Sequence, residues 1–258
     1  MWRIRSPSTA ARGWLPLGQC EVCRAWCREG LCAPCRATYA AATPRCRRCG
    51  IALPADLASC GDCLRDPPPF QATVCAVTYA FPWDGLIAAL KFADRVELAT
   101  PLAMLLADRI ADPVRSAAPE PQDGEPTPLR AGPTTPPPSA IVPVPLSPAR
   151  LAQRGYNQAW ELARRLSSLT GVPAHAGWLQ RAFDAPQQVG LSRRQRRDNL
   201  RGCMRVTAEG ARRIGGRHVA VVDDVMTTGA TACEAARALL EAGAQRVDLW
   251  VVARTPAH

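Results

Sequence analysis

The sequence predicts an α/β protein, a parallel sheet whose strands alternate with helices, preceded by a small cysteine-rich metal-binding module. A buried apolar strand at 219–222 is followed at once by two acids, a loop of hydroxylated residues and glycine, and a helix-forming run at 233–242. Eight of the twelve cysteines form four C-x₂-C pairs within the first 65 residues. The first observation predicts the sheet, and the second predicts the module.

The cysteine pairs predict structural zinc sites. Each pair is a turn that lets two thiolates face one metal ion, and four thiolates close a tetrahedral Zn²⁺ shell. Paired in sequence order, the ligands of one ion are Cys20, Cys23, Cys32 and Cys35, and those of the other are Cys46, Cys49, Cys60 and Cys63. Interleaved pairing, a single occupied site and a disulfide framework are the alternatives, and a reducing compartment disfavours the last.

Composition and charge predict a cytoplasmic protein without membrane insertion. The chain has 258 residues, 47% of them hydrophobic, which is enough for a core. The first 16 residues lack the apolar stretch of a secretory signal, and no stretch reaches the ~18 apolar residues of a membrane helix. The formal net charge of +10 is lowered when eight thiolates bind two Zn²⁺ ions, so docking is as good a role for the zinc module as contact with DNA.

The remaining elements follow in order from hydrophobic periodicity. A tail at 1–18 precedes the zinc module at 19–65, and consecutive prolines then lead into the α/β domain at 69–258. Residues 112–139 are rich in proline and lack periodicity, which predicts a disordered surface insertion. Around it we expect strands at 72–80, 141–145, 219–222 and 247–253 and helices at 83–92, 97–110, 158–169 and 233–242.

The segment after the strand at 219–222 predicts an anion site beside two acids. Ligands of open α/β sheets bind outside the carboxyl ends of the strands, and backbone N–H groups of a loop that opens a helix point at an anion there. Thr227, Thr228 and Thr231 add hydroxyl donors, and Gly229 permits close approach of the backbone. Asp223 and Asp224 can hold ribose hydroxyls or a hydrated Mg²⁺.

Two arginine-rich segments fit a pyrophosphate group. After the strand at 141–145, a loop with Arg150 and Arg154 offers guanidinium groups that grip phosphate oxygens in pairs; a solvated basic turn is the alternative. The polar stretch 181–199, which contains Arg193, suits a flap that closes over a charged substrate. A basic surface that contacts nucleic acid is the alternative for that stretch.

Lys91 is the chain's only lysine. It ends the predicted helix at 83–92, either on the side of the site or with its ammonium group in solvent. We interpret the presence of one lysine beside 31 arginines as chance rather than function, because a single residue is weak evidence.

Taken in order, these motifs resemble the ComF family of type I phosphoribosyltransferase-like proteins, which carry a double zinc ribbon at the amino end. The matching segments are the cysteine pairs, Leu-Lys-Phe at 90–92, Val-Pro-Val-Pro-Leu at 142–146, Arg-Gly-Tyr-Asn-Gln at 154–158, Gln-x₃-Leu-Ser-Arg at 187–193 and the acid–threonine run at 222–231. Family members often have glycine where Asp94 stands here, which leaves the contacts of that loop open.

The resemblance implies a site for phosphoribosyl pyrophosphate (PRPP) with Mg²⁺. Asp223 and Asp224 would hold the ribose, and Arg193 would act with them in catalysis. The residues implied to bind PRPP are Val222, Asp223, Asp224, Thr227, Thr228, Gly229, Ala230, Thr231, Arg150 and Arg154. Displacement of pyrophosphate by an acceptor that the sequence does not reveal would be the reaction.

The family's link to DNA uptake implies a role in natural competence or in nucleotide salvage. Single-stranded DNA and a competence helicase are the implied partners. The alternative function is a PRPP sensor or a DNA-binding accessory protein without turnover. An intact acid pair and threonine loop favour retained ligand binding under either hypothesis.

Overall fold

A computed structural model describes residues 18–54, 57–111, 136–182 and 202–256. In chain order its elements are β1 (Gly18–Gln19), β2 (Trp26–Cys27), α1 (Ala33–Tyr39), α2 (Gly61–Arg65), β3 (Ala72–Thr78), α3 (Trp83–Phe92), a 3₁₀ turn (Val96–Leu98), α4 (Ala99–Ala111), β4 (Ala140–Pro143), α5 (Pro148–Arg154), α6 (Gln158–Thr170), β5 (Leu179–Arg181), β6 (Met204–Val206), α7 (Ala208–Ile214), β7 (His218–Met226), α8 (Ala230–Glu241) and β8 (Arg246–Arg254).

The main sheet has four parallel strands in the order β3-β8-β7-β4. The central pair is continuous in register from His218 opposite Arg246 to Met226 opposite Arg254. Parallel strands need crossover connections, and helices on both faces supply them. The predicted parallel α/β sheet is confirmed.

Two apolar clusters cover the two faces of the sheet. On one face α3, α4 and α6 bury residues such as Leu102 and Leu162 against Ala220 and Val222. On the other face α8 buries Leu239 and its neighbours against the alternate residues of β7 and β8. Successive side chains of a strand point to opposite faces, so the two acids that follow Val222 are directed to opposite sides as well.

The strand of the acids is longer than predicted. Asp223 and Asp224 lie within β7 because pairing with β8 continues to Met226, whereas β4 ends opposite Val222. The acids therefore occupy the part of β7 that extends past the end of β4. The helix α8 begins at Ala230, three residues before the predicted start.

The arginine segment after β4 is a helix rather than the predicted loop. Ser147 is the N-cap of α5, since its side chain accepts a hydrogen bond from the Arg150 N–H at 3.3 Å, and Pro148 occupies the first turn. Both residue types favour a helix start. The helix ends at Gly155, which adopts φ of +79°.

The cysteine-rich module packs directly on the α/β domain. Cys20, Leu31 and Cys35 belong to the same apolar cluster as α3 and α4. The indole N–H of Trp83 donates to the Tyr39 carbonyl at 2.9 Å. The module and the sheet domain on either side of the predicted proline connector thus share a core.

Several predicted segments lie outside the described residues. They are the tail at 1–17, most of the proline-rich stretch, and most of the predicted flap with Arg193. The last residues of the proline-rich stretch are described and contact β7, where the Ser139 N–H donates to the His218 carbonyl at 2.8 Å. In the described part of the chain, no helix combines the length and the apolar character needed to cross a bilayer.

Candidate functional site: two cysteine clusters and an acid–threonine edge

The cysteine pairs form two four-cysteine clusters. In each cluster the sulfur atoms all lie within 4.8 Å of one another. Tetrahedral Zn²⁺ with Zn–S bonds of about 2.3 Å requires sulfurs about 3.8 Å apart, which this spacing accommodates. We name Cys20, Cys23, Cys32 and Cys35 the first cluster and Cys46, Cys49, Cys60 and Cys63 the second cluster. The sequential pairing is confirmed, and all twelve cysteines are free thiols.

Both clusters use the same local geometry. Cys32 caps α1 and its N–H donates to the Cys20 sulfur at 3.4 Å; Cys60 caps α2 and donates to Cys46 at the same distance. A hydrogen bond from Cys49 and backbone donors hold the pKa of Cys46 at about 4. Burial raises the pKa of Cys20, but backbone N–H donors outweigh it and lower the pKa to about 6. Each cluster thus has one cysteine whose thiolate, the form that binds Zn²⁺, is favoured. Burial and neighbouring cysteines raise the pKa of Cys35 in the first cluster, and a hydrogen bond with Cys46 and burial raise that of Cys49 in the second.

Lys91, the chain's only lysine, holds one acid of the pair. The Nζ of Lys91, at the end of α3, lies 2.8 Å from Oδ1 of Asp224, whose side chain is 3% exposed. The other oxygen, Oδ2, is buried and has no hydrogen-bond partner among the described residues. A buried carboxylate oxygen without a donor is costly, and a ligand hydroxyl or a hydrated cation would satisfy it.

Asp223, the half-buried acid of the pair, has a raised pKa. Burial and the neighbouring charge of Asp224 raise the pKa of Asp223 from 3.8 to about 7, against an opposing contribution from Lys91. Its Oδ1 accepts the Asp224 N–H at 2.9 Å. At neutral pH this carboxyl is therefore balanced between its two forms and able to change protonation when a ligand binds.

The threonine–glycine segment forms a tight loop into α8. Gly229 adopts φ of +79°, and a Cβ at this position would lie 2.7 Å from Cε of Met226. The Thr228 hydroxyl accepts the Ala230 N–H at 3.4 Å. We name residues 227–231 the phosphate loop after the role that the sequence predicts for it; it leads into the twelve-residue α8, and helix starts of this kind can accept an anion.

A buried arginine anchors the phosphate loop to the second cluster. Arg254, the last residue of β8, is 4% exposed. Its Nε donates to the Cys49 carbonyl at 3.1 Å, and one terminal nitrogen donates to the Met226 carbonyl at 3.0 Å and to the Thr227 carbonyl. The sequence analysis assigned no role to Arg254.

The segment 154–158 braces the end of α3. The guanidinium of Arg154 lies 5.1 Å from the centre of the exposed Phe92 ring and donates to the Gln158 amide at 2.6 Å. The Tyr156 hydroxyl donates to the Leu90 carbonyl. Asn157 caps α6 and donates to the Val144 carbonyl at 3.0 Å. The Asn157 and Gln158 side chains therefore hold neighbouring segments in place, and Arg154 lies over Phe92.

The backbone conformation at Asp94 explains how aspartate can stand where many family members have glycine. Its φ is +53°, the left-handed region that glycine adopts without strain and that Asp tolerates better than most residues. The turn after α3 therefore keeps the conformation that a glycine would favour. Arg95, which follows, donates to Glu21 of the cysteine-rich module at 3.0 Å.

The structure brings the acids, the phosphate loop and Lys91 to one edge of the sheet. Sequence analysis treated Lys91 as a chance survival, and the ion pair with Asp224 contradicts that interpretation. Its rarity in an arginine-rich chain was the signal that could have identified it. Arg193 lies outside the described residues, so its predicted role stays a prediction.

Comparisons with known proteins agree with this arrangement. Residues 151–258 match the phosphoribosyl transferase domain family. The chain is 35% identical over 210 residues to the DNA utilization protein YhgH of Escherichia coli O157:H7, covering 81% of this chain and 84% of that protein. It is 33% identical over 211 residues to competence protein F of Haemophilus influenzae, covering 82% of this chain and 85% of that protein. The chain belongs to the ComF family.

A solved purine phosphoribosyltransferase from Pyrococcus horikoshii is a more distant structural neighbour. It is 14% identical and covers 69% of this chain and 74% of its own, with a TM-score of 0.31. As a ComF protein, the chain combines the phosphoribosyltransferase-type domain with two four-cysteine clusters suited to zinc.

Proposed function

We propose that this ComF protein binds Mg²⁺-PRPP at the edge formed by the acid pair and the phosphate loop, and transfers the phosphoribosyl group. The observation that carries the proposal is Asp224, whose Oδ1 is held by Lys91 while its buried Oδ2 has no donor among the described residues. Ribose hydroxyls would supply that donor. The phosphate loop at the start of α8 lies three residues further along the chain and would take the 5-phosphate.

The residues would divide the work of binding and transfer. Asp224, kept in position by Lys91, would accept one ribose hydroxyl, and Asp223 would accept the other in its ionised form. Hydroxyls of Thr227, Thr228 and Thr231 would join the loop N–H groups on the phosphate. When present, Mg²⁺ would be held by the acids and the substrate oxygens and would neutralise the pyrophosphate charge.

Departure of pyrophosphate would leave positive charge on the ribose ring. The carboxylates of the acid pair would stabilise that charge, and arginines would stabilise the leaving group. Arg154 lies over the ring of Phe92, and Arg150 belongs to the same helix. Arg193 is proposed for the same role from the sequence.

A nucleic-acid-binding function is the second candidate. Phe92 is 76% exposed at the end of α3, with the Arg154 guanidinium over its ring. An exposed aromatic ring beside an arginine is the kind of surface on which an unpaired base stacks. The names of the relatives, a DNA utilization protein and a competence protein, support this candidate, in which PRPP would be sensed rather than consumed.

Calorimetric titration with PRPP, with and without Mg²⁺, tests the proposal. We expect the wild type to bind in the presence of Mg²⁺ and the variant Asp223→Asn/Asp224→Asn to lose at least tenfold in affinity, because charge is removed while shape is kept. Release of pyrophosphate with a panel of bases then separates transfer from sensing. Absence of PRPP binding to folded wild type would overturn the proposed function.

A further inference from the structure

The second cluster and the phosphate loop share one buried side chain. Arg254 donates to the carbonyl of Cys49, a predicted zinc ligand, and to the carbonyls of Met226 and Thr227, where the loop begins. The same guanidinium also donates to the Thr255 carbonyl at 3.1 Å. A planar guanidinium has five donors in a fixed fork, so it can hold two segments at a set separation.

The position of the Cys49 carbonyl depends on the shape of the second cluster. Gly50 closes the turn with φ of +68°, and its N–H donates to the Cys46 carbonyl at 2.8 Å. The turn rests on β3, where a Cβ at Gly50 would lie 2.9 Å from Cγ2 of Thr73. Four thiolates gathered within 4.8 Å repel one another unless a metal ion or protons neutralise them.

We propose that Arg254 is a positioning residue that couples metal occupancy of the second cluster to the conformation of the phosphate loop. With Zn²⁺ bound, the Cys49 carbonyl is fixed and the guanidinium holds the Met226 and Thr227 carbonyls, so the loop N–H groups keep their direction. Without Zn²⁺, the turn loosens and the arginine loses one of its two anchors. The proposal rests on the proposed function for its ligand but concerns the loop itself.

Amide hydrogen exchange tests the coupling without any ligand. Cys60→Ser removes one ligand of the second cluster, and Cys32→Ser is its matched control because Cys32 has the same place in the first cluster. We expect Cys60→Ser to speed exchange across 226–231 on the order of tenfold and Cys32→Ser to leave that segment unchanged. Equal exchange in wild type and Cys60→Ser, with zinc shown to be reduced, would overturn the proposal.

A double-mutant cycle on PRPP affinity assigns the coupling to Arg254. Cys60→Ser and Arg254→Met should each weaken binding on the order of tenfold, and the double variant should lose no more than either single variant. Arg254→Lys should restore part of the affinity, because an ammonium group keeps charge but not the fork. Arg246→Met, at the other end of β8, is the control and should bind as wild type does.

The outcomes separate the two proposals. If folded wild type does not bind PRPP, the proposed function fails and exchange at 226–231 still decides the coupling. If losses in the cycle add fully, the second cluster and Arg254 act independently and the coupling is wrong. If Arg254→Met does not fold, the Arg254→Lys variant and the exchange comparison of Cys60→Ser with Cys32→Ser carry the test.

Discussion

Each cysteine cluster consists of two C-x₂-C pairs and places one cysteine at the N-cap of a short helix. The two clusters nevertheless brace different halves of the candidate site. The first cluster leads to both ends of α3, through Tyr39 to Trp83 at its start and through Glu21 to Arg95 just after its end. The second leads to the phosphate loop through the buried Arg254. The same cysteine motif, repeated in the sequence, therefore supports two different segments. The residues around each cluster determine whether it supports α3 or the phosphate loop.

The braces also differ in burial. The Arg95 side chain in the first brace is 39% exposed, and solvent screens its pair with Glu21. Arg254 is 4% exposed, so its hydrogen bonds lie in a medium of low dielectric and cost more to lose. We infer that the second cluster controls its half of the site more tightly than the first controls α3.

The largest expected effect comes from removing the first cluster's metal. Cys32→Ser should lower the zinc content from about two ions per chain to about one. Structural Zn²⁺ contributes on the order of 10 kcal/mol of binding free energy to the fold of its site, so the melting temperature should fall as well. Exchange should speed across 92–98, the turn held through Glu21, while 226–231 keeps the wild-type rate.

Elemental analysis and exchange by mass spectrometry measure these changes, with Cys60→Ser as the matched variant. The comparison between clusters fails if both variants loosen the same segments. If wild-type protein purified without added metal contains almost no zinc and its thiols are found as disulfides, the comparison between two zinc clusters has no basis.

A smaller effect is expected where the two braced halves meet. Lys91 of α3 and Asp224 of β7 form the ion pair between them, and Asp224 is 3% exposed. Lys91→Met leaves a buried carboxylate uncompensated, which should destabilise the protein by about 2–3 kcal/mol. Lys91→Met/Asp224→Asn should recover most of that loss because the stranded charge is gone.

Chemical denaturation measures the stabilities, and Arg213→Met is the control. Arg213 pairs with Glu209 at 3.7 Å with both side chains more than half exposed, so its removal should cost under about 1 kcal/mol. As the only lysine, Lys91 can also carry a single ¹³C-methylated side-chain signal, which PRPP should shift. Equal losses for Lys91→Met and Arg213→Met would contradict a buried bridge.

Sequence patterns predicted the fold and the acid–threonine edge, but they did not predict the long-range contacts that connect the cysteine clusters to the site. The strand of Val222, the loop of Gly229 and the eight ligand cysteines could be predicted because periodicity and spacing are local properties. Contacts such as that of Arg254 with Cys49 join residues 205 positions apart, and the local sequence around either residue does not identify the other. Lys91 shows the same limit, because only the packing of α3 beside β7 reveals why it is a lysine.

The smallest effect concerns the titration of Asp223. The pKa of Asp223 is raised to about 7 by burial and by Asp224, so the folded chain binds this proton more tightly than the unfolded chain does. Its contribution to stability is therefore unfavourable above pH 7 and is relieved as pH falls toward about 4. Ribose hydroxyls need the charged form, so PRPP affinity should fall up to about tenfold per pH unit below 7 and level off above it.

The variant Asp223→Asn isolates this titration from that of the ligand phosphates, whose own second pKa lies near 6. The variant should bind more weakly above pH 7 and keep only the shallow pH dependence of the ligand. Calorimetric titration between pH 5.5 and 8.5 measures both curves. An unchanged slope in Asp223→Asn would assign the pH dependence to PRPP itself, and Asp223 would then be charged throughout that range. In that case Lys91, which lies 2.8 Å from Asp224, would also have to stabilise the charged form of Asp223 against burial and the neighbouring charge.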